Sequence, residues 1–130
     1  ALPGVGVAWC VDATGADPHR LRDPDALRAL LAAIVADLAL TPIGDGAWHT
    51  FPAPGGVTGL VLLAESHLTV HTFPEHGALC VDLFCCRPRP AWDFAGGLAR
   101  HLGATEVTVR ELPRHYTPAS VPNVEPTAVA

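Results

Sequence analysis

Lysine is absent from this sequence, and all eight basic residues among its 130 are arginines. Without a lysine amine the chain forms no Schiff base on a lysine side chain, which excludes the usual attachment of pyridoxal phosphate. The same absence excludes a Walker-type phosphate loop, because that motif needs a lysine against the phosphates. One missing residue type therefore removes two large classes of cofactor and nucleotide chemistry.

Charge is also scarce: 16% of the residues are charged, against roughly 25% in a typical soluble domain. Thirteen acids and eight arginines give a net charge of −5, which argues against nucleic acid or an anionic membrane as a partner. A surface with so few charges favours self-association, in which a second copy covers part of it. No apolar run reaches the roughly 18 residues that cross a bilayer, and no secretory signal is visible, so we expect a cytoplasmic protein.

The four cysteines are Cys10, Cys80, Cys85 and Cys86. Four cysteines could form a disulfide framework in a small secreted protein. Two of them are adjacent in sequence, however, and adjacent cysteines make a poor cross-link. Because nothing in the sequence indicates export, we predict reduced thiols.

Hydrophobic periodicity predicts a single α+β domain over residues 1–130. Predicted strands cover residues 5–11, 57–63, 67–73, 78–84 and 106–112, and predicted helices cover 24–38 and 91–102. Sequential hairpin strands with two main helices predict a two-layer sandwich, in which both helices pack on one face of an antiparallel sheet. The proline-rich tail after Pro113 predicts an irregular covering segment.

His67 and His71 are four residues apart, a spacing that would suit one metal ion on a helix. The β-branched residues between them predict a strand, on which the two side chains lie about 13 Å apart, too far to share a zinc ion. We therefore predict no metal site, with a small metal-binding protein as an alternative that rests on the nearby cysteine pair. Ser66 precedes His67, but it does not lie in the Gly-x-Ser-x-Gly turn of serine hydrolases.

Three segments together resemble the short prokaryotic S-adenosylmethionine decarboxylases. Residues 56–59 read GVTG, residues 65–75 read ESHLTVHTFPE, and residues 81–86 read VDLFCC. A weaker similarity in the order of elements extends over most of the chain. The resemblance implies that the chain cleaves itself between Glu65 and Ser66, and that Ser66 becomes a pyruvoyl group. That group would supply the carbonyl for a Schiff base with the substrate amine, without pyridoxal phosphate and without a metal.

The resemblance also implies roles for other residues of these segments. His71 matches the processing base, and Thr58 matches a family serine whose hydroxyl stabilises ester formation. Cys86 matches the proton donor that completes decarboxylation, and a thiol with an ordinary pKa of about 8.5 is mostly protonated at neutral pH. Strand alternation sends Cys85 and Cys86 to opposite faces, which predicts that one of them is a small core residue, and we favour Cys86 as the acid.

Three further residues match positions that bind the substrate in this family. Glu75 corresponds to the carboxylate that binds the ribose hydroxyls, and Phe51 and Phe73 correspond to pocket aromatics. Aromatic faces can sandwich adenine and attract a sulfonium. The resemblance further implies a homodimer of processed protomers with sites near the interface.

One geometric difficulty and two alternatives follow from these assignments. Ser66 and His71 have opposite parity on a regular strand, so a bend after Ser66 or a displaced new terminus must bring them together.

One alternative function keeps the chemistry and changes the substrate, because relatives of the same family decarboxylate L-ornithine or L-arginine. The other is an unprocessed, non-catalytic homologue that acts as a partner subunit.

Overall fold

The structure is a computed structural model that describes residues 4–118. Its strands are β1 (Val5–Thr14), β2 (Ala47–Thr50), β3 (Val57–Leu62), β4 (Ser66–Phe73), β5 (Ala78–Cys85) and β6 (Glu106–His115). Its helices are α1 (Pro18–Leu21), α2 (Pro24–Asp37) and α3 (Phe94–Leu102), with a short 3₁₀ turn at Pro74–His76.

All neighbouring strands are antiparallel, in the order β2-β3-β4-β5-β1-β6. One face of the sheet packs on the helices and forms the core. The sheet contributes Trp9, Leu68 and Leu83 to this core, and α2 and α3 contribute Leu30 and Leu98. The α+β fold and the antiparallel sheet with its two main helices on one face are therefore confirmed.

Helix α2 shows why the sequence predicted this arrangement. The Asp23 side chain accepts a hydrogen bond from the Asp25 backbone N–H, and Pro24 occupies the first turn, where its missing N–H costs nothing. The buried residues then recur at helical spacing, so that one stripe faces the sheet. They are Leu27, Leu30, Leu31 and Ile34.

The structure differs from the sequence prediction at several element boundaries. The short elements α1 and β2 were not predicted, and α3 begins at Phe94 because the Asp93 side chain caps the Gly96 N–H. Strand β6 passes through Pro113 to His115. Because β6 is an edge strand, Pro113 needs no hydrogen-bond partner on its open side. The prediction of an irregular segment directly after Pro113 is therefore wrong for the first residues, and the rest of that tail, residues 119–130, lies outside the described residues.

The second face of the sheet carries no helix within the described residues. Its alternating positions include Leu60, Leu62 and Leu112, whose side chains are 43%, 54% and 46% exposed. We call this surface the open face. None of the described helices is long and apolar enough to span a membrane.

Candidate active site

The Glu65–Ser66 bond lies where β4 begins, beside the end of β5. The Cys86 backbone N–H donates to the Glu65 carbonyl oxygen over 3.1 Å, and the Leu63 N–H donates to the Ser66 carbonyl over 3.0 Å. Ser66 also pairs with Cys85 in the ladder. The carbonyl carbon that an attacking hydroxyl would reach is therefore already held next to a backbone donor.

The Glu65 side chain is held as firmly as its backbone. Its carboxylate accepts hydrogen bonds from the Thr41 backbone N–H at 3.0 Å and the Thr41 hydroxyl at 3.1 Å. Arg89 lies 3.6 Å away across an ion pair. The Thr41 backbone hydrogen bond in particular lowers the pKa of Glu65, so the carboxylate is ionised and pinned at neutral pH.

The two adjacent cysteines lie in different environments. Cys85 is buried on the helix side, and burial raises the pKa of its thiol. Cys86 is partly exposed and follows directly after β5. Strand alternation predicted that one of the two cysteines is a core residue, and the structure shows that it is Cys85, which leaves Cys86 nearer to solvent.

Thr58 and His71 form a second group. They are direct partners in the β3–β4 ladder, and their side chains meet with 3.2 Å between the Thr58 hydroxyl and His71 Nδ1. Both point to the open face, while the neighbouring Thr72 turns inward and donates to the Leu21 carbonyl. The two residues matched to the processing step are thus brought together.

The three residues matched to substrate binding line one cavity of about 360 Å³. Phe51 and Phe73 are 51% and 41% exposed, and the Phe51 ring also makes an edge-to-face contact with His49. Glu75 lies in the 3₁₀ turn that follows β4. The remaining walls are Pro52, Ala53, Pro54, Gly56 and Thr72.

These groups occupy opposite ends of strand β4. The ladder with β5 is regular, with Ser66 opposite Cys85 and His71 opposite Cys80. Ser66 and His71 are five steps apart along the strand, about 17 Å, and their side chains leave the strand on opposite faces. From the sequence we predicted either a bend after Ser66 or a displaced new terminus. The regular ladder contains no such bend, so the first of these two predictions is wrong. We refer to Glu65, Ser66 and Cys86 as the cleavage end, and to the Thr58–His71 pair with its adjoining cavity as the pocket end.

Sequence reasoning missed the Cys86 N–H donor, Thr41 and Arg89. A backbone donor leaves no signal in a sequence, and Thr41 lies 24 residues from Glu65 along the chain. Within residues 4–118, no three histidine, cysteine or acidic side chains are arranged to hold a metal ion.

Comparison with known proteins gives a consistent result across sequence and structure. Residues 7–115 match the family model described as S-adenosylmethionine decarboxylase. The S-adenosylmethionine decarboxylase proenzyme of Geobacillus kaustophilus is 39% identical over 110 residues, which cover 82% of this chain and 85% of that protein. The proenzyme of the same name from Thermoplasma volcanium is 36% identical over 112 residues, with 85% of each chain covered.

A solved structure shows the same similarity in three dimensions. The crystal structure of the adenosylmethionine decarboxylase from Aquifex aeolicus superposes with a TM-score of 0.75 at 28% identity. The superposition covers 97% of this chain and 100% of that one. Both the cleavage end and the pocket end fall inside the matched region.

Proposed function

Because this chain belongs to the S-adenosylmethionine decarboxylase family, we propose that it is a self-processing, pyruvoyl-dependent decarboxylase of S-adenosylmethionine. Its product would be the aminopropyl donor for spermidine synthesis. The family match over residues 7–115 carries this proposal, since it spans the cleavage end, the pocket end and the sheet that joins them.

The proposed cleavage starts with attack of the Ser66 hydroxyl on the Glu65 carbonyl carbon. The peptide bond becomes an ester, and the Cys86 N–H at 3.1 Å supports the negative charge that develops on the carbonyl oxygen. His71 removes the α-proton of Ser66, the Glu65 carboxylate leaves, and a dehydroalanine remains at residue 66. Water then releases ammonia, leaving a pyruvoyl group at the new N-terminus and a first chain that ends at Glu65.

The described residues fit this group, because Ser66 begins a strand and the preceding carbonyl is held in place. The pyruvoyl group would supply a carbonyl that takes the substrate amine and accepts the electron pair left by carbon dioxide. The chain's own residues then have two tasks. The pocket end binds the substrate, and the Cys86 thiol returns a proton to the carbon that has lost its carboxylate.

Three side chains at the pocket end would recognise the substrate. The exposed rings of Phe51 and Phe73 suit stacking on adenine and attraction of the sulfonium. The Glu75 carboxylate suits the two ribose hydroxyls, because its two oxygens accept two hydrogen bonds. The cavity of about 360 Å³ lies in the range of small-ligand pockets.

We further propose a homodimer of processed protomers, because one protomer separates the residues that must react together. In a two-fold interface, residue i of one copy contacts residue j of the other and residue j contacts residue i, so regions away from the axis meet different regions of the partner. Ser66 is the first residue of β4, and its hydroxyl lies 3.2 Å from Nδ1 of His67, which belongs to the open face. Packing open face on open face would therefore carry the pocket end of one copy toward the Ser66 hydroxyl of its partner. The exposed Leu60, Leu62 and Leu112 on this face support such an interface.

The substrate is tested by measuring carbon dioxide release from S-adenosylmethionine, L-ornithine and L-arginine in parallel. We expect release from S-adenosylmethionine, because two aromatic rings and one carboxylate match an adenosyl group better than a short cationic chain. Equal protein, buffer and assay time keep the three arms comparable. Faster release from ornithine or arginine would contradict the proposed substrate and retain the chemistry. Release from none of them by protein that also stays uncut would favour the unprocessed, non-catalytic alternative.

A second prediction separates cleavage from turnover. In Cys86→Ala the backbone N–H that contacts the Glu65 carbonyl remains, so we expect the chain to be cut as before. Loss of the thiol should lower the decarboxylation rate by about 10²-fold or more. Mass spectrometry follows the cut, and carbon dioxide release follows the rate. Cys80→Ala, which removes a partly exposed thiol from the middle of the sheet, is the control; normal turnover in Cys86→Ala would show that the proton donor is another group.

A further inference from the structure

Arg89 uses only part of the hydrogen-bonding capacity of its guanidinium group within residues 4–118. Its Nη1 donates to the Leu38 carbonyl over 2.6 Å, and its Nη2 lies 3.6 Å from the Glu65 carboxylate. Its Nε is buried and has no hydrogen-bond partner among residues 4–118. The Arg89 side chain is 23% exposed, but the Nε atom itself is shielded from solvent.

A buried donor without a partner costs the folded chain free energy, and more so when the donor belongs to a charged group. A guanidinium is built to hold a carboxylate by two parallel hydrogen bonds. In the uncut chain Arg89 does not do so: its Nη2 lies 3.6 Å from the Glu65 carboxylate, and Thr41 supplies the hydrogen bonds to both carboxylate oxygens. Arg89 therefore has spare donor capacity beside Glu65.

Cleavage would change the charge of Glu65 without moving it. The residue would end in an α-carboxylate as well as its side-chain carboxylate. One of the new oxygens derives from the carbonyl that already accepts from the Cys86 N–H. The second oxygen is the former hydroxyl oxygen of Ser66, which stays on Glu65 when the ester breaks. The new negative charge is shared by both oxygens, so the second oxygen also needs a donor. Within residues 4–118, Arg89 is the one basic side chain in ion-pair range of Glu65.

We propose that Arg89 binds the α-carboxylate that cleavage creates at Glu65, and so holds the end of the first chain beside residue 66. This inference rests on the proposed cleavage between these residues. It makes Arg89 a positioning residue of the processed protein. The residue would keep the new chain end from moving into the space where the substrate reacts.

The test compares Arg89→Gln in two backgrounds, the cleaved chain and the uncleaved Ser66→Ala chain. The thermal unfolding midpoint is measured in each. Arg89→Gln should lower the midpoint in both, because the pair with the Glu65 side chain is lost. In the cleaved background we expect the loss to be larger by about 3–5 °C, because the pair with the new carboxylate is lost as well.

Two further variants make the comparison specific. Arg100→Gln removes the same charge from an exposed ion pair with Asp93 on α3 and should shift both backgrounds equally. Arg89→Lys keeps the positive charge and should recover part of the extra loss in the cleaved form, a recovery that a purely packing role would not give.

The outcomes distinguish this inference from the proposed function. Equal losses for Arg89→Gln in both backgrounds would overturn it. Failure of Arg89→Gln or Arg89→Lys to be cut would also overturn it, because Arg89 would then act before the bond breaks. If the chain with Ser66 and Arg89 intact is never cut, the proposed cleavage itself is wrong.

Discussion

Replacing Ser66 with alanine will leave the chain uncut and lower decarboxylation by more than about 10⁴-fold. Both effects have one cause, since the Ser66 hydroxyl is the proposed nucleophile and its carbon skeleton is the proposed source of the reactive carbonyl. Denaturing mass spectrometry should find one chain in Ser66→Ala. In the unsubstituted protein it should find two chains, with a break after Glu65 and a blocked N-terminus at residue 66.

The sequence offers a matched control, because Ser120 is its one other serine. Ser120→Ala should be cut and active as before. An active unsubstituted protein that stays intact at full length would refute self-cleavage, and with it a cofactor made from Ser66. Cutting of Ser66→Ala at the same bond would instead show that the break does not need the serine hydroxyl.

The elements that form the centre of the sheet could be predicted because their sequence patterns are strong. Strands β4 and β5 alternate cleanly, with Leu68 and Val70 directed to the core and His71 directed to the open face. Strand β2 was missed because four residues at an edge, largely exposed, carry no such alternation. Pro113 was read as a stop because a sequence does not show that its strand lies at an edge.

The candidate residues came from the resemblance, and their roles remain predictions. The structure adds how they are grouped. Thr58 and His71 meet directly, and Phe51, Phe73 and Glu75 share one cavity. That grouping depends on strand order and register, which are set by pairing between segments far apart in sequence. The contacts of Arg89 depend on the same long-range pairing, so no local pattern could have indicated them.

Two inactive variants should restore cleavage when they are combined in one dimer. Ser66→Ala keeps a complete pocket end but has no nucleophile, and His71→Ala keeps the nucleophile but lacks the processing base. In a hybrid dimer, the intact His71 of the first chain would face the intact Ser66 of the second. We therefore expect neither variant to be cut alone, and the His71→Ala chain to be cut in the hybrid.

Differently tagged chains that are co-expressed and purified through both tags provide the hybrid, and mass spectrometry identifies which chain is cut. His49→Ala is a suitable control for His71→Ala, because His49 also lies on the open face. It pairs with Thr58 from strand β2, whereas His71 pairs with Thr58 from strand β4. This variant should be cut without a partner variant. If the hybrid stays uncut, the Ser66 and the His71 that react together must belong to the same chain. The regular β4 ladder opposes that arrangement, because it holds Ser66 and His71 about 17 Å apart on opposite faces.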